Sequence, residues 1–389
     1  MRIELTDEHR EFQEEARAWI HQTIGSRGGE FDRAQLLPEE VIAALGRNRL
    51  LGSTVDEKHG GRGLDMISYG ILHQEIGAEC SSTRSLLTVH DMVALAVERL
   101  GSSKVRDRWL PEFTSGSAIA AFALSEPEVG SDASSVQTNA VRDGASFVLS
   151  GTKKWISFGQ RADVFLVLAR DDRDGQVGGF LVPRESPGLE VEAIEGLLGL
   201  RASMLAELSL NECRVSDDSR VGSAALPNGL VTATALQLGR YSVAWGCVGI
   251  ATACVAAAFA YTSERQQFGV PLREHQLVQR HLAGMLTDLE AARLLCLHAG
   301  ALLESRDPRA VAATLMAKYF SSRAAARIAS DAVQVHGAAG CRPDAPIERY
   351  YRDARMMEII EGTNEILETV IPRYGPTQLS AEKTVEEAG

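Results

Sequence analysis

An uncharged stretch near the middle of the chain places the strongest constraint on the fold. It reads YSVAWGCVGIATACVAAAFAY over 241–261, with Arg240 before it and Glu264 and Arg265 after it. A segment of this length can span a bilayer. However, it is rich in Ala, Gly, Ser, Thr and Cys, poor in Leu and Ile, and lacks a strongly basic flank. It therefore favours a fully buried helix inside a bundle, and we expect no membrane partner.

The hydrophobic period changes twice along the chain and divides it into three regions. A helical period fills the first region, and a period of two with β-branched residues fills the second. No helix-length pattern lies between the strands, so we expect an antiparallel β-domain rather than βαβ units. Long helical segments return in the third region, which predicts a four-helix-type bundle with short connections. The predicted fold class is α+β, with an N-terminal helical domain at 1–118, an antiparallel β-domain at 119–222, a C-terminal helical bundle at 227–375 and a polar tail at 376–389.

Composition excludes several classes of function. The 389 residues are 45% hydrophobic and carry a formal net charge of -12, which argues against a nucleic-acid partner. The six cysteines form no CxxC pair, so buried thiols in a reducing compartment are favoured over disulfides or a metal site. The N-terminus lacks an apolar signal core, which predicts a cytoplasmic protein.

Common catalytic and phosphate-binding motifs are missing from the sequence. There is no GxGxxG after a strand, no GxxxxGK[ST], no GxSxG and no HExxH. A hydrolase therefore has little support, and no metal ligands are predicted.

Four glutamates near the C-terminus raise the question of a catalytic carboxylate. Glu358, Glu361, Glu365 and Glu368 would share one face of an uninterrupted helix. The Gly362-Thr363 pair interrupts the run. We expect one helix to end after Ile360 and Thr363 to cap the next, with Glu365 in its first turn. Glu361 then lies at the break, where its side chain can point into a cleft.

Four separated stretches carry a resemblance to a known family. They are AFALSEPEVGSD at 121–132, KKWISF at 153–158, SERQQFGVPLREHQ at 263–276, and QVHGAAG at 334–340 leading to RDARMMEIIEGTNEI at 352–366. In this order and at these separations they resemble the FAD-dependent acyl-CoA dehydrogenase family. The resemblance covers nearly the whole chain, and the order of the three regions agrees with that family's fold.

The resemblance implies an FAD site between the β-domain and the bundle, completed by a second subunit of a homodimer or homotetramer. From the residues alone, Trp155 could be a core aromatic, Ser125 a strand-end hydroxyl and Arg265 a helix C-terminal cation. The implied FAD-binding residues are Phe122, Leu124, Ser125, Gly130, Ser131, Trp155, Ile156, Ser157, Arg265, Phe268, Gln276, Gln334, Gly337, Thr363 and Glu365.

The reaction implied by the resemblance is α,β-dehydrogenation of a short acyl thioester, carried by CoA or an acyl carrier protein. Glu361 is the expected base for the α-proton, and flavin N5 would accept the hydride. Electron-transfer flavoprotein or oxygen would be the acceptor. The expected substrate-binding residues are Arg240, Gly362, Ser131, His90 and Gln237.

Two departures from the family leave alternatives open. Gln237 stands where the family commonly carries an aspartate that helps hold CoA. His90 and Asp91 interrupt a helix that is mostly apolar in fatty-acid members, as a surface pair or as hydrogen-bonding groups in a small polar acyl pocket. One alternative is therefore oxidation of a short hydroxyacyl group on an acyl carrier protein, in polyketide extender-unit biosynthesis of the methoxymalonyl type. A second is a flavin-free binding protein.

Overall fold

Helices form the first third of the chain. The computed structural model describes residues 4–222 and 226–375, so the tail predicted at 376–389 lies outside the described residues. Thr6 and His9 form a capping box at the first helix, and Asp65 caps the fourth by accepting from two backbone N–H groups. The helices of this region are α1 (Asp7–Thr23), α2 (Gly28–Ala34), α3 (Glu39–Arg47), α4 (Met66–Glu79), α5 (Ser81–Leu100) and α6 (Ser103–Ser115).

The middle of the chain forms one 8-stranded sheet in the order β6-β7-β3-β2-β4-β5-β8, with β1 also paired to β4. Most neighbours are antiparallel, as predicted, but β1 and β2 both pair with β4 in parallel, which the sequence pattern did not predict. The strands are β1 (Ala120–Ala123), β2 (Asn139–Asp143), β3 (Ser146–Ile156), β4 (Val164–Asp171), β5 (Val177–Pro183), β6 (Leu189–Ala193), β7 (Ala206–Ser216) and β8 (Arg220–Val221).

Long helices return after the sheet and pack side by side, as predicted. A short hairpin of β9 (Gln266–Gln267) and β10 (Val270–Pro271) separates the first two. The helices are α7 (Leu230–Glu264), α8 (Gln276–Glu304), α9 (Ala310–His336), α10 (Ile347–Met357) and α11 (Asn364–Val370).

Helix α7 is the centre of the molecule. It packs against α9, α8 and α10 of the bundle and against α4 and α5 of the N-terminal region. It is long and apolar enough to cross a membrane, but 67% of its most apolar window is buried against these neighbours. The prediction of a buried bundle helix is confirmed, because Trp245, Cys247 and Cys254 all lie in the same hydrophobic core.

The cysteines lie as isolated thiols. Five are buried, and Cys341 is exposed. Within residues 4–222 and 226–375, no group of three or more His, Cys, Asp or Glu side chains is placed to hold a metal ion.

Candidate active site

The turn between α10 and α11 separates the four glutamates. Glu361 adopts a left-handed backbone with φ 55°, and Gly362 follows with φ 98°. Thr363 then caps α11 by accepting the N–H of Ile366 at 3.4 Å. Glu358 pairs with Arg355, and Glu368 accepts the hydroxyl of Tyr319 at 2.7 Å. Glu361 is left alone at the break.

The carboxyl group of Glu361 points inward. Its Oε2 atom is buried and has no hydrogen-bond partner among the described residues. Burial raises the pKa of Glu361, while the positive charges of Arg240, Arg84 and Lys318 lower it. A buried carboxyl with a free oxygen and a raised pKa is the kind of group that serves as a general base.

Two cations hold the turn that carries Glu361. Arg240 of α7 donates its Nε–H to the carbonyl oxygen of Glu361 at 3.0 Å. Lys318 of α9 donates from Nζ to the carbonyl oxygen of Gly362 at 2.7 Å, and burial lowers the pKa of Lys318 to about 8. The left-handed conformation at Glu361 is thus fixed from two sides.

A glycine of α7 leaves room for the carboxyl group. A Cβ atom on Gly239 would lie 2.8 Å from Glu361 Oε2 and 2.7 Å from Met92 Sδ of α5. Any larger residue at 239 would displace one of these side chains.

Residues predicted for the flavin meet at the ends of β1 and β3. The N–H of Lys154 donates to the carbonyl oxygen of Ser125 at 2.9 Å, and Lys153 Nζ donates to that of Leu124 at 2.9 Å. Trp155, the second-last residue of β3, has a left-handed backbone with φ 63°, and its side chain is 52% exposed although Lys153 and Ile156 of the same strand are buried. Ile156 is buried and Ser157 half-buried.

The surface at the ends of β1 and β3 suits the binding of an isoalloxazine ring and a phosphate-bearing chain. It offers an uncovered indole face at Trp155 and a half-buried hydroxyl at Ser125. A Cβ on Gly130 would meet nothing within 4 Å, so the backbone of Gly130 and Ser131 is open to a ligand. Phe122 packs in the same hydrophobic core as Met92. The sulfur of Met92 and the carboxyl group of Glu361 both lie next to Gly239. The ends of β1 and β3 are therefore linked to the surroundings of Glu361 through one hydrophobic core.

A second group of predicted flavin residues lies at the far end of α7. Arg265, Phe268, Gln276, Gln334 and Gly337 are all exposed, and the Phe268 side chain is 95% exposed. The stack of Tyr261 on His336, with ring centroids 4.4 Å apart, brings the ends of α7 and α9 together here. Arg265 follows Arg240 by 25 residues, which is about 37 Å along a helix. One chain therefore does not bring this group to Glu361.

The remaining two flavin predictions lie on α11. Thr363 is the N-cap, and Glu365 is exposed in the first turn, where its own backbone N–H and the Thr363 side chain lower its pKa.

The prediction for His90 requires correction. Its ring is fully buried: Nδ1 accepts the N–H of Ala120 at 3.1 Å, and Nε2 lies 3.2 Å from the carbonyl oxygen of Phe113. Asp91 accepts the N–H of Gly52 at 2.7 Å. The pair is neither on the surface nor open to a substrate hydroxyl through His90, because both ring nitrogens join α5 to its neighbours.

Gln237 is also occupied within the protein. Its side-chain amide donates to Thr314 Oγ1 of α9 at 2.8 Å. In this geometry Gln237 links α7 to α9, so its amide group is engaged within the protein.

One residue at the site was not predicted from the sequence. Arg84 of α5 is fully buried, and its charge acts on Glu361. In the sequence, Arg84 is the only Lys, Arg, Asp or Glu between Ser81 and His90, and this isolated charge could have marked it as a candidate site residue.

A helical domain, a β-sheet and a helical bundle around a buried carboxyl group and an exposed indole are typical of a flavin-dependent oxidoreductase. The sequence matches the profiles of the acyl-CoA dehydrogenase N-terminal domain at 6–117, middle domain at 121–213 and C-terminal domain at 229–374. The chain belongs to the acyl-CoA dehydrogenase family, and its cofactor is FAD.

Relatives agree with this assignment. The mitochondrial short-chain specific acyl-CoA dehydrogenase of Rattus norvegicus is 37% identical over 95% of this chain and 90% of its own. The solved structure of FkbI, described as serving biosynthesis of the methoxymalonyl extender unit of the Fk520 polyketide, is 36% identical with a TM-score of 0.87 over 93% of this chain and 99% of its own. A glutaryl-CoA dehydrogenase of Mycobacterium smegmatis in complex with FADH2 is 29% identical with a TM-score of 0.90, over 95% of this chain and 94% of its own.

Proposed function

We propose that this protein is an FAD-dependent dehydrogenase of a short acyl thioester, with Glu361 as the proton-abstracting base. The observation that carries the proposal is the free, buried Oε2 of Glu361, held on a left-handed turn by Arg240 and Lys318. Family membership supplies the reaction type: removal of hydrogen from an acyl thioester.

Each residue at the turn has a distinct part in this mechanism. Glu361 Oε2 takes the proton from the carbon next to the thioester carbonyl, and the buried setting keeps the carboxyl basic enough to do so. The N–H of Glu361 donates no hydrogen bond within the described part of the chain, which leaves it for the thioester oxygen as negative charge develops. Gly362 leaves the approach clear. Trp155, Ser125 and Ser157 would hold the ring of FAD, and the cofactor would supply the hydride acceptor.

A second copy of the chain is needed in this proposal. Arg265, Phe268, Gln276, Gln334 and Gly337 are exposed at the end of α7 that lies away from Glu361. A partner subunit could place these five residues beside the ends of β1 and β3 of the first subunit. The arginine of the partner subunit could then pair with the pyrophosphate of the FAD bound there. A homodimer or homotetramer would satisfy this arrangement.

The alternative of a hydroxyacyl group on an acyl carrier protein has its own support. The similarity to FkbI extends over 99% of that chain, and Gln237 is engaged with Thr314 rather than free for CoA. In this alternative Glu361 remains the base, and an electron-transfer flavoprotein or oxygen would serve as the final electron acceptor.

Anaerobic reduction of the bound flavin tests the proposal. Purified protein should show flavin absorbance, which short acyl thioesters should bleach when offered on CoA or on acyl carrier protein. Bleaching by carrier-protein substrates alone would select the alternative carrier. Protein that binds no FAD, or an FAD that no acyl thioester bleaches, would contradict the proposed function.

A further inference from the structure

A long loop between β6 and β7 contacts both the bundle and the predicted flavin-binding stretch at 153–158. The loop covers residues 194–205. Leu200, near its middle, is buried in the hydrophobic core of the helical bundle. Met204, near its end, is buried in a second core that also contains Phe158. The β6–β7 loop therefore joins two parts of the molecule that carry different predicted site residues.

The end of the β6–β7 loop holds Ser157 from both sides. The carbonyl oxygen of Ser203 accepts the N–H of Phe158 at 2.7 Å. On the other side of Ser157, Ile156 pairs with Ala206, the first residue of β7. Ser157 is one of the residues proposed to hold the flavin ring, so this end of the loop sets the position of a flavin contact.

The middle of the β6–β7 loop is fastened to α10. Asp353 Oδ1 accepts the N–H of Leu200 at 2.7 Å, and this hydrogen bond is buried. Arg352 Nη1 donates to the carbonyl oxygen of Leu198 at 3.0 Å. The approach is close, because a Cβ on Gly199 would lie 2.4 Å from the carbonyl oxygen of Arg352. Without the Asp353 carboxylate, the N–H of Leu200 would be buried without a partner, which costs free energy.

The same helix leads directly to the proposed base. Beyond the end of α10, the carbonyl oxygen of Met356 accepts the N–H groups of Ile359 and Ile360 at 3.0 and 3.1 Å. The chain thus continues in tight turns up to Glu361, eight residues after Asp353. A continuous path of covalent and hydrogen bonds therefore connects the base to the β6–β7 loop and to the flavin-binding stretch.

Unfavourable backbone conformations lie along this path. Of the ten non-glycine residues with a positive φ in the described part of the chain, five are Trp155, Phe158, Leu200, Met204 and Glu361. Two belong to the flavin-binding stretch, two to the β6–β7 loop, and one is the proposed base. A left-handed conformation costs free energy at a non-glycine residue, and it persists where the surrounding structure fixes it, commonly at functional sites. The clustering favours a role in placing the site over a plain connecting loop.

We propose that Asp353 is a positioning residue for the reaction. Through the β6–β7 loop, Asp353 fixes the place of Ser157, and of the flavin ring against it, relative to the turn that carries Glu361. This inference rests on the proposed function, because it takes Glu361 as the base and Ser157 as a flavin contact. A misplacement of about 1 Å can slow a reaction by about a hundredfold, so a loosened connection changes the rate more than the binding of substrate.

The rate of flavin reduction at saturating substrate tests this inference, with the thioester that bleaches the wild-type flavin fastest. Asp353→Ala leaves the Leu200 N–H unpaired, and the rate should fall by about tenfold to a hundredfold with FAD still bound. The Kd of a non-reactive thioether analogue of that thioester should stay near the wild-type value. Asp353→Asn keeps an oxygen for the Leu200 N–H and should retain most of the rate.

Two further variants separate positioning from stability. Gly199→Ala pushes the loop away from α10 without removing a polar group, and it should slow flavin reduction in the same way. Asp171→Ala removes another buried aspartate, which pairs with Arg173 and Arg220 at the C-terminal end of β4. This control should lower the Tm but leave the rate per bound FAD unchanged. If Asp353→Ala does not fold, Gly199→Ala still decides.

Hydrogen exchange followed by mass spectrometry gives a readout that does not depend on turnover. The N–H of Phe158 is protected by its hydrogen bond to Ser203 of the loop. In Asp353→Ala and Gly199→Ala, the peptide that contains Phe158 should exchange faster than in the wild type, because the loop opens locally more often. Asp171→Ala should leave this peptide at the wild-type rate.

The outcomes separate this inference from the proposed function. Wild-type rates in Asp353→Ala and Gly199→Ala, an equal loss of rate in Asp171→Ala, or unchanged exchange at Phe158 would each overturn the inference. If no thioester reduces the wild-type flavin, the proposed function fails. Faster exchange at Phe158 in Asp353→Ala would then still support the connection from α10 to the flavin-binding stretch, and unchanged exchange would overturn it.

Discussion

Arg240 Nε and the carbonyl oxygen of Glu361 lie 3.0 Å apart, in a hydrogen bond that joins the middle of α7 to the turn after α10. The same guanidinium lowers the pKa of the Glu361 carboxyl group, which burial raises. One side chain thus sets both the backbone position and the basicity of the proposed base.

Replacing Arg240 should shift the pH dependence of the reaction. Flavin reduction requires ionised Glu361, so its rate falls as pH drops below the Glu361 pKa. Arg240→Gln removes a charge that lowers this pKa, so the pH below which the rate falls should move to a higher value. Rapid-mixing measurements of flavin reduction from pH 5 to 9 check this. Arg240→Lys should keep most of the wild-type pH dependence. If Arg240→Gln has the same pH dependence as the wild type, Arg240 does not set the pKa of Glu361.

A methyl group at position 239 should misplace the base. Gly239→Ala puts a Cβ 2.8 Å from Glu361 Oε2, and we expect flavin reduction to slow by about a hundredfold with FAD still bound. Gly284→Ala on α8 is the matched control, since nothing lies within 4 Å of its Cβ. The control should leave the rate unchanged and stabilise the protein by about 0.5–1 kcal/mol. Similar rates in both variants would show that Gly239 is not needed for the base.

Asp91 should make the protein less stable as pH rises. Burial raises its pKa from 3.8 to about 8, so between these values the folded protein holds a proton that the unfolded chain has released. Stability is therefore lost by up to about 1.4 kcal/mol per pH unit across this window. Asp91→Asn keeps an oxygen for the Gly52 N–H and removes the titration. Its Tm should exceed that of the wild type at pH 8, with a smaller difference at pH 5; a difference independent of pH would refute this.

Arg265 should hold FAD without taking part in the reaction. No side-chain partner binds Arg265 within residues 4–222 and 226–375, whereas Arg273 in the same loop donates to Ser263. We expect Arg265→Gln to raise the Kd for FAD by one to two orders of magnitude, while Arg273→Gln leaves it near the wild-type value. Equilibrium dialysis of the apoprotein with FAD measures both. Equal affinities would remove Arg265 from the proposed FAD site.

The fold was largely predictable, because hydrophobic residues recur about every 3.6 residues in the long helical segments and every two residues in the strands. The break before α11 and the Thr363 cap were predicted from residue type and are confirmed, but α10 ends at Met357 rather than after Ile360 as expected. The parallel pairings of β1 and β2 with β4 carry no local signal, since they join residues distant in sequence.

The interior of α5 was not predictable from hydrophobic pattern. His90, Asp91 and Arg84 are polar, and polar residues on a helix are normally expected at the surface. All three are fully buried because α5 is enclosed by α4, α6, α7 and β1. Besides the isolated charge at Arg84, the glycines of α7 at 239 and 246 indicate in the sequence that large side chains lie against that helix face.

The most direct test of the central claim is flavin reduction by Glu361→Gln. The amide keeps the size of the side chain but cannot accept the α-proton, so FAD content and absorbance should remain while substrate-driven bleaching slows by at least about a hundredfold. Glu358→Gln, three residues away and paired with Arg355, should bleach at the wild-type rate. Bleaching of Glu361→Gln at the wild-type rate would contradict the assignment of Glu361 as the base.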